Sequence, residues 1–143
     1  MIILGAGGHA KVVLGVALDL GINVQCLTDT DKSKHGKTVS GIKIEGGDEI
    51  LKKFNPDKVC LAIGLGVGSE SSQLITQLKR RFDIFTKLSK QGHSFPSLVH
   101  PNAWVAKECS IGDGVQLFSG SIVQPGCTIG DLTIMNTKAS IDH

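Results

Sequence analysis

The chain of 143 residues has no tyrosine, one tryptophan and only 4% aromatic residues. That disfavours a sandwich packed around large rings. No apolar run reaches the roughly 18 residues of a membrane helix. The apolar opening Met1-Ile2-Ile3-Leu4 lacks a charged segment before it and a cleavage site after it, so it does not read as a signal peptide. An excess of one charge is also missing. The formal net charge is +2 and the lysines and arginines are scattered, which leaves no stripe for nucleic acid. The one basic cluster, Lys79-Arg80-Arg81, is expected on a solvated helix face. The four cysteines, Cys26, Cys60, Cys109 and Cys127, form no CxxC pair and have no histidine at ligand spacing. No metal site is expected, and reduced, buried thiols in a cytoplasmic protein are. What the chain does have is 41% apolar residues and 18 glycines, a glycine share above the usual one. A packed core, glycine loops and a tightly wound solenoid all fit that composition.

The first half reads as an α/β nucleotide-binding unit. Ile2 to Leu4 is a short apolar strand, followed at once by Gly5-Ala6-Gly7-Gly8-His9-Ala10. Val12, Val13, Val16, Ala17 and Leu20 then recur at helical spacing, and Gly21 stands where a helix would end. Ile22 to Leu27 is a second strand, closed by Thr28-Asp29. In such a unit the first glycine permits a tight turn, and the second lets a phosphate approach the backbone. The small Ala10 lets helix and strand pack closely. The helix start presents N–H groups to an anion, and Asp29 is placed to accept hydrogen bonds from a ribose or base. A polar loop is expected over Thr30 to Ser40, then Ile42-Lys43-Ile44. Asp48 is expected to cap a short helix, Glu49 to Phe54. Lys58 to Ile63 is a third strand of a parallel sheet, ending in the second glycine loop Gly64-Leu65-Gly66-Val67-Gly68. Leu74, Ile75, Leu78, Phe82, Phe85 and Leu88 form one helix face, expected to be core, ending near Gly92.

At residue 99 the period changes. Val99, Val105, Ile111, Leu117, Val123, Ile129, Met135 and Ile141 lie six apart without a break. Two positions before the last seven stand Ala103, Cys109, Val115, Ser121, Cys127, Thr133 and Ala139, all small or medium. A period of six fits neither a helix nor a plain strand, and it fits the hexapeptide β-helix. Three hexads make one coil, so Cys109 and Cys127, 18 apart, should stack as a ladder of small side chains and not as a disulfide. The division expected is 1–95 for the Rossmann-like domain and 96–143 for the first coils of a left-handed β-helix. The repeat stops uncapped at Ile141-Asp142-His143, so truncation is expected.

The two halves together resemble bacterial sugar acetyltransferases of the sialic-acid O-acetyltransferase and UDP-4-amino-sugar N-acetyltransferase type. The matching stretches are Ile3-Leu4-Gly5-Ala6-Gly7-Gly8-His9-Ala10-Lys11-Val12-Val13, Gly36 to Ile42, Gly46-Gly47-Asp48, Ala62-Ile63-Gly64, Val99-His100-Pro101-Asn102-Ala103 and Asn136 to His143. The resemblance implies a trimer formed through the β-helix. It implies acetyl-CoA as co-substrate between neighbouring β-helices, and a nucleotide sugar or sialic-acid-like sugar on the N-terminal domain. It also implies that His143 is the general base, since imidazole can take the proton of an attacking amine or hydroxyl near neutral pH. Such enzymes usually carry an orienting acid right after this histidine, at a position this sequence does not reach, so the 143-residue chain is expected to bind nucleotide without turning over.

Gly5, Gly7, Gly8, His9, Asp29, Gly64 and Asn136 are therefore the expected substrate-binding residues, and His143 the catalytic one. His9 can reach a phosphate at the helix start or be a polar first-turn residue. Asn136 can contact substrate or ladder within the coil. His100 is expected at the domain junction, and His35 and His93 in surface loops. Two other readings stay open: a non-catalytic nucleotide-sugar-binding or assembly module, and a dinucleotide-dependent oxidoreductase. The second needs an acid–base substrate domain, which a hexapeptide repeat supplies poorly.

Overall fold

The computed structural model describes residues 1–68 and 71–143, with Ser71 and Ser72 described by their backbone alone. The first part runs β1 (Ile2–Leu4), α1 (Gly8–Asp19), β2 (Cys26–Thr28), β3 (Thr38–Val39), β4 (Ile42–Gly46), β5 (Leu61–Ile63) and α2 (Ser71–Lys90). Strands β1, β2 and β5 are buried at every position, as parallel strands covered on both faces must be. The sheet order is β3-β4-β2-β1-β5. All pairings are parallel except β3 with β4, so the sheet is mixed where a parallel one was expected. The cause is a two-residue hairpin: Ser40 (φ 46°) and Gly41 (φ 81°) both take left-handed backbone, the combination that matches strand twist.

Alternation along the strands divides the core. Ile3, Leu27, Ile44 and Ala62 meet Ala10, Val13, Leu14 and Ala17 of α1. Ile2, Leu4, Cys26, Leu61 and Ile63 meet Ile50, Leu51, Leu88 and Phe95 on the other face. Helix α1 ends as expected at Gly21, whose φ is 68°. Two expectations need correction. The short helix is a 3-10 segment, Asp48–Lys53, with Gly47 at its N-cap; Asp48 does not cap it, since its carboxylate accepts from the Thr28 hydroxyl at 2.5 Å. The α2 stripe is core only toward its C-terminal end. Leu88 is buried, whereas Leu74, Ile75, Leu78 and Phe82 are exposed; Phe85 and Leu88 are the members of the stripe that join the core cluster of β1 and β5.

The second part is eight two-residue strands: β6 (Leu98–Val99), β7 (Trp104–Val105), β8 (Ser110–Ile111), β9 (Gln116–Leu117), β10 (Ile122–Val123), β11 (Thr128–Ile129), β12 (Ile134–Met135) and β13 (Ser140–Ile141). They stack as three parallel faces, β13-β10-β7, β11-β8 and β12-β9-β6. Partners such as Val105, Val123 and Ile141, or Leu117 and Met135, align in register, giving the expected 18-residue coil. The hexad aliphatics form one cluster with Cys109, Val115 and Cys127 inside the prism. Both cysteines are free. Each later hexad turns on a residue of positive φ: Gly114, Gly120, Gly126, Leu132 and Lys138. The β-helix does not stand apart from the α/β unit. Leu98 and Phe118 are buried in the α1 core, and His100 Nε2 lies 3.1 Å from Asp19 Oδ2 at the foot of α1, the junction role expected for it. Among the described residues no helix is long and apolar enough to cross a membrane.

Candidate functional site

Strand β1 lies between β2 and β5, and the chain crosses from one side of it to the other. Open α/β sheets bind ligands at such a switch point, beyond the carboxyl ends of the strands. Here that edge carries both glycine loops. Gly5 has φ 106°, and a Cβ on it would lie 3.0 Å from Leu65 Cδ2 and 3.2 Å from the Gly64 carbonyl carbon. Gly64 is as confined: its Cβ would fall 2.8 Å from Ala10 Cβ and Ile3 Cγ2. The two loops thus touch because neither glycine has a side chain, and Ala10 supplies the close packing expected of it. Gly7 and Gly8 are exposed, and a Cβ at either would meet nothing within 4 Å. They form the open lip of the turn, with α1 beginning at Gly8 and carrying no side-chain cap. Its first N–H groups remain available to an anion.

Asp29 braces the turn. Its Oδ2 accepts from the Ala6 N–H at 3.1 Å and from Lys34 Nζ at 2.9 Å, and its Oδ1 from the Asp31 N–H at 2.9 Å. Partial burial pushes the carboxyl up, but these hydrogen bonds and the Lys34 charge together hold it below the ordinary value. Asp29 is therefore an anion that fixes the Gly loop as well as a candidate acceptor for a ligand. His35, expected at the surface, is half-buried and hydrogen-bonded to the Asp29 carbonyl at 2.8 Å. It closes the same corner.

His9 turns toward the β-helix. Its Nε2 lies 2.7 Å from Gln116 Oε1, and the Gln116 amide donates to the Ile63 carbonyl at 2.8 Å. Since the amide nitrogen is spent on Ile63, the oxygen accepts from His9, which fixes the proton on Nε2. The ring also meets Phe118 edge-on at 5.6 Å. Burial lowers the His9 pKa, Gln116 opposes this, and the Arg81 charge lowers it further. The imidazole is thus a neutral bridge between glycine loop and β-helix.

The described cleft at this edge has a volume of about 1310 Å³. Gly5, Gly7, Gly8, His9, Asp29, Gly64 and Asn136, all expected from the sequence, line it together. His143 is exposed and does not line it. Lys34, Gln116 and Arg81 were not foreseen as site residues. Arg81 overturns the expectation of a solvated basic face: it is 2% exposed. Its spacing held the signal, since it falls three residues after Leu78, four before Phe85 and seven before Leu88, on the apolar stripe. His93, placed at the surface by the sequence, is buried beside α2.

The acetyltransferase domain of PglB from Neisseria gonorrhoeae FA1090 superposes with a TM-score of 0.83 at 29% identity, over 99% of this chain and 64% of that one. The same domain is known in complex with acetyl coenzyme A. PerB from Caulobacter crescentus, in complex with CoA and GDP-perosamine, gives a TM-score of 0.82 at 29% identity, over 99% of this chain and 62% of PerB. The chain thus spans just under two thirds of the length of these relatives. No curated protein matches it in sequence. The family model of the PglD N-terminal domain matches residues 1–78, more than half of the chain, and the chain belongs to that family.

Proposed function

We propose that this protein serves acetyl-CoA-dependent transfer of an acetyl group to the amine or hydroxyl of a sugar or nucleotide sugar, in cytoplasmic steps of cell-surface glycan synthesis. The observation that carries the reading is the cleft at the switch point. Two glycine loops, a free helix N-terminus and the Asp29 carboxylate face one space with Asn136 of the β-helix. Phosphates suit the N–H groups of the lip, and a ribose or base suits Asp29. The relatives support the donor: one holds acetyl coenzyme A and another CoA with GDP-perosamine. In this reading residues 1–95 hold the sugar nucleotide and residues 96–143 belong to the β-helix that presents the thioester. The sugar amine or hydroxyl attacks the acetyl carbonyl, a C–N or C–O bond forms, the C–S bond breaks, and His143 carries the proton from the nucleophile to the leaving thiolate.

His143 lies outside the cleft of its own chain, so in this reading it serves the cleft of a neighbouring copy in a trimer. Trp104 and Ile122, exposed and paired on adjacent coils, support an interface on that face. The same separation of His143 from the cleft favours a second reading, a non-catalytic nucleotide-sugar-binding module. Calorimetric titration with UDP- and GDP-amino-sugars, CMP, sialic acid, NAD and acetyl-CoA tests the site. A nucleotide amino-sugar is expected to bind best. Preference for NAD would favour an oxidoreductase and overturn the reading. In an acetyl-transfer assay of the chain extended by two or more further coils, His143→Ala is expected to lower turnover at least about 100-fold with nucleotide-sugar affinity unchanged. Undiminished turnover would remove His143 from the chemistry.

A further inference from the structure

Arg81 is the most deeply buried cation among the described residues, at 2% exposure, and no carboxylate among them pairs with it. Its Nη1 donates to the Leu65 carbonyl in the second glycine loop, and its Nη2 to the Leu132 carbonyl in the β-helix at 3.4 Å. Burial alone pushes its pKa down to about 10, which still leaves it charged at neutral pH. A guanidinium offers five donors in a fixed plane, so one side chain can hold two carbonyls that belong to different segments. A lysine cannot hold the same pair in one geometry. Leaving a charge buried without a carboxylate is costly.

The segments Arg81 joins are the two that the cleft needs opposed. Leu65 packs against Gly5, so the loop it belongs to is the back of the phosphate turn. Leu132 stands between Asp131 and Thr133, which line the opposite wall with Asn136. The His9–Gln116 bridge ties the first glycine loop to the β-helix, and Arg81 ties the second. We propose that Arg81 is a positioning residue, a latch that holds the Gly64–Gly68 loop at a fixed distance from the β-helix turn and so sets the width of the sugar-nucleotide cleft. Its function as a site residue rests on the proposed acetyl-transfer reading, whereas the latch itself does not.

The test separates the two. Amide exchange is followed in the ligand-free protein and in Arg81→Lys and Arg81→Met. The reporters are the Gly68 N–H, bonded to Gln77 Oε1, and the Leu132 N–H, bonded to the Asp113 carbonyl. Both are expected to exchange at least tenfold faster in Arg81→Met, with β1 unchanged and with Arg81→Lys intermediate. Acceleration of one reporter only, or of neither, would overturn the latch. Where Arg81→Met does not fold, nitrogen-15 spectra of the unsubstituted protein decide instead. A slowly rotating, exchange-protected Arg81 guanidinium is expected, and a freely rotating one would overturn the proposal. At a temperature where the variants are folded, UDP- or GDP-amino-sugar affinity is expected to fall about tenfold in Arg81→Met and less in Arg81→Lys. If the unsubstituted protein binds neither sugar nucleotide, the functional reading fails and the exchange result still decides the latch.

Discussion

Glycines that look alike in the sequence do different work. Gly5 needs φ 106° and has the neighbouring loop 3.0 Å from where its Cβ would stand, whereas Gly7 has nothing within 4 Å. Gly5→Ala is therefore expected to lower stability by about 1–3 kcal/mol, the usual cost of forcing a side chain into that backbone region. Gly7→Val should leave thermal stability nearly unchanged and abolish nucleotide-sugar binding by filling the lip. A stable Gly7→Val protein with full affinity would show that the lip is not the phosphate site. His9 adds a pH dependence. Its folded pKa is lowered, chiefly by burial, so between that value and about 6.5 the unfolded chain binds the extra proton and stability falls with acidification. Denaturation midpoints at about pH 7.5 and 5.5 should differ more in the unsubstituted protein than in His9→Gln. Equal slopes would mean the bridge is not titrating. The loop glycines and Asp29 were legible in the sequence because strand, turn and acid occur at fixed spacing. His9's partner was not, because Gln116 is 107 residues away and nothing local announces it.

At the level of elements, the six-residue period was read correctly, and structure decided by a few contacts was not. Eight aliphatics at one spacing specify the coil, and the register pairs them as expected. Val123 is fully buried in the prism. Val123→Asp is expected to cost on the order of several kcal/mol, while Ser119→Asp, outside the ladders, should cost far less by chemical denaturation. Equal losses would contradict the register. The hairpin was missed because its strand is two residues long, although Val39-Ser40-Gly41-Ile42 carries a two-residue turn signal. The α2 stripe misled in the other direction. Helical spacing shows that one face is apolar, but it does not show how far a neighbouring sheet extends beneath it. Leu78 and Phe82 line the cleft instead, beside the one charged residue of that face that is buried.

The whole molecule forms its cleft between parts that sequence reasoning treats separately. The α/β unit supplies two loops and an acid, the β-helix supplies the opposite wall, and His9, His100 and Arg81 connect them. The family could be recognised from motifs, but the shape of the cleft depends on these long-range contacts. The proposed function puts a sugar nucleotide in that cleft. Backbone chemical-shift mapping of the protein with a UDP- or GDP-amino-sugar tests it most directly. Shifts are expected together at residues 5–9, 64–68 and 131–136. Saturable binding whose shifts fall elsewhere, or spare the glycine loop at 5–9, would contradict the account.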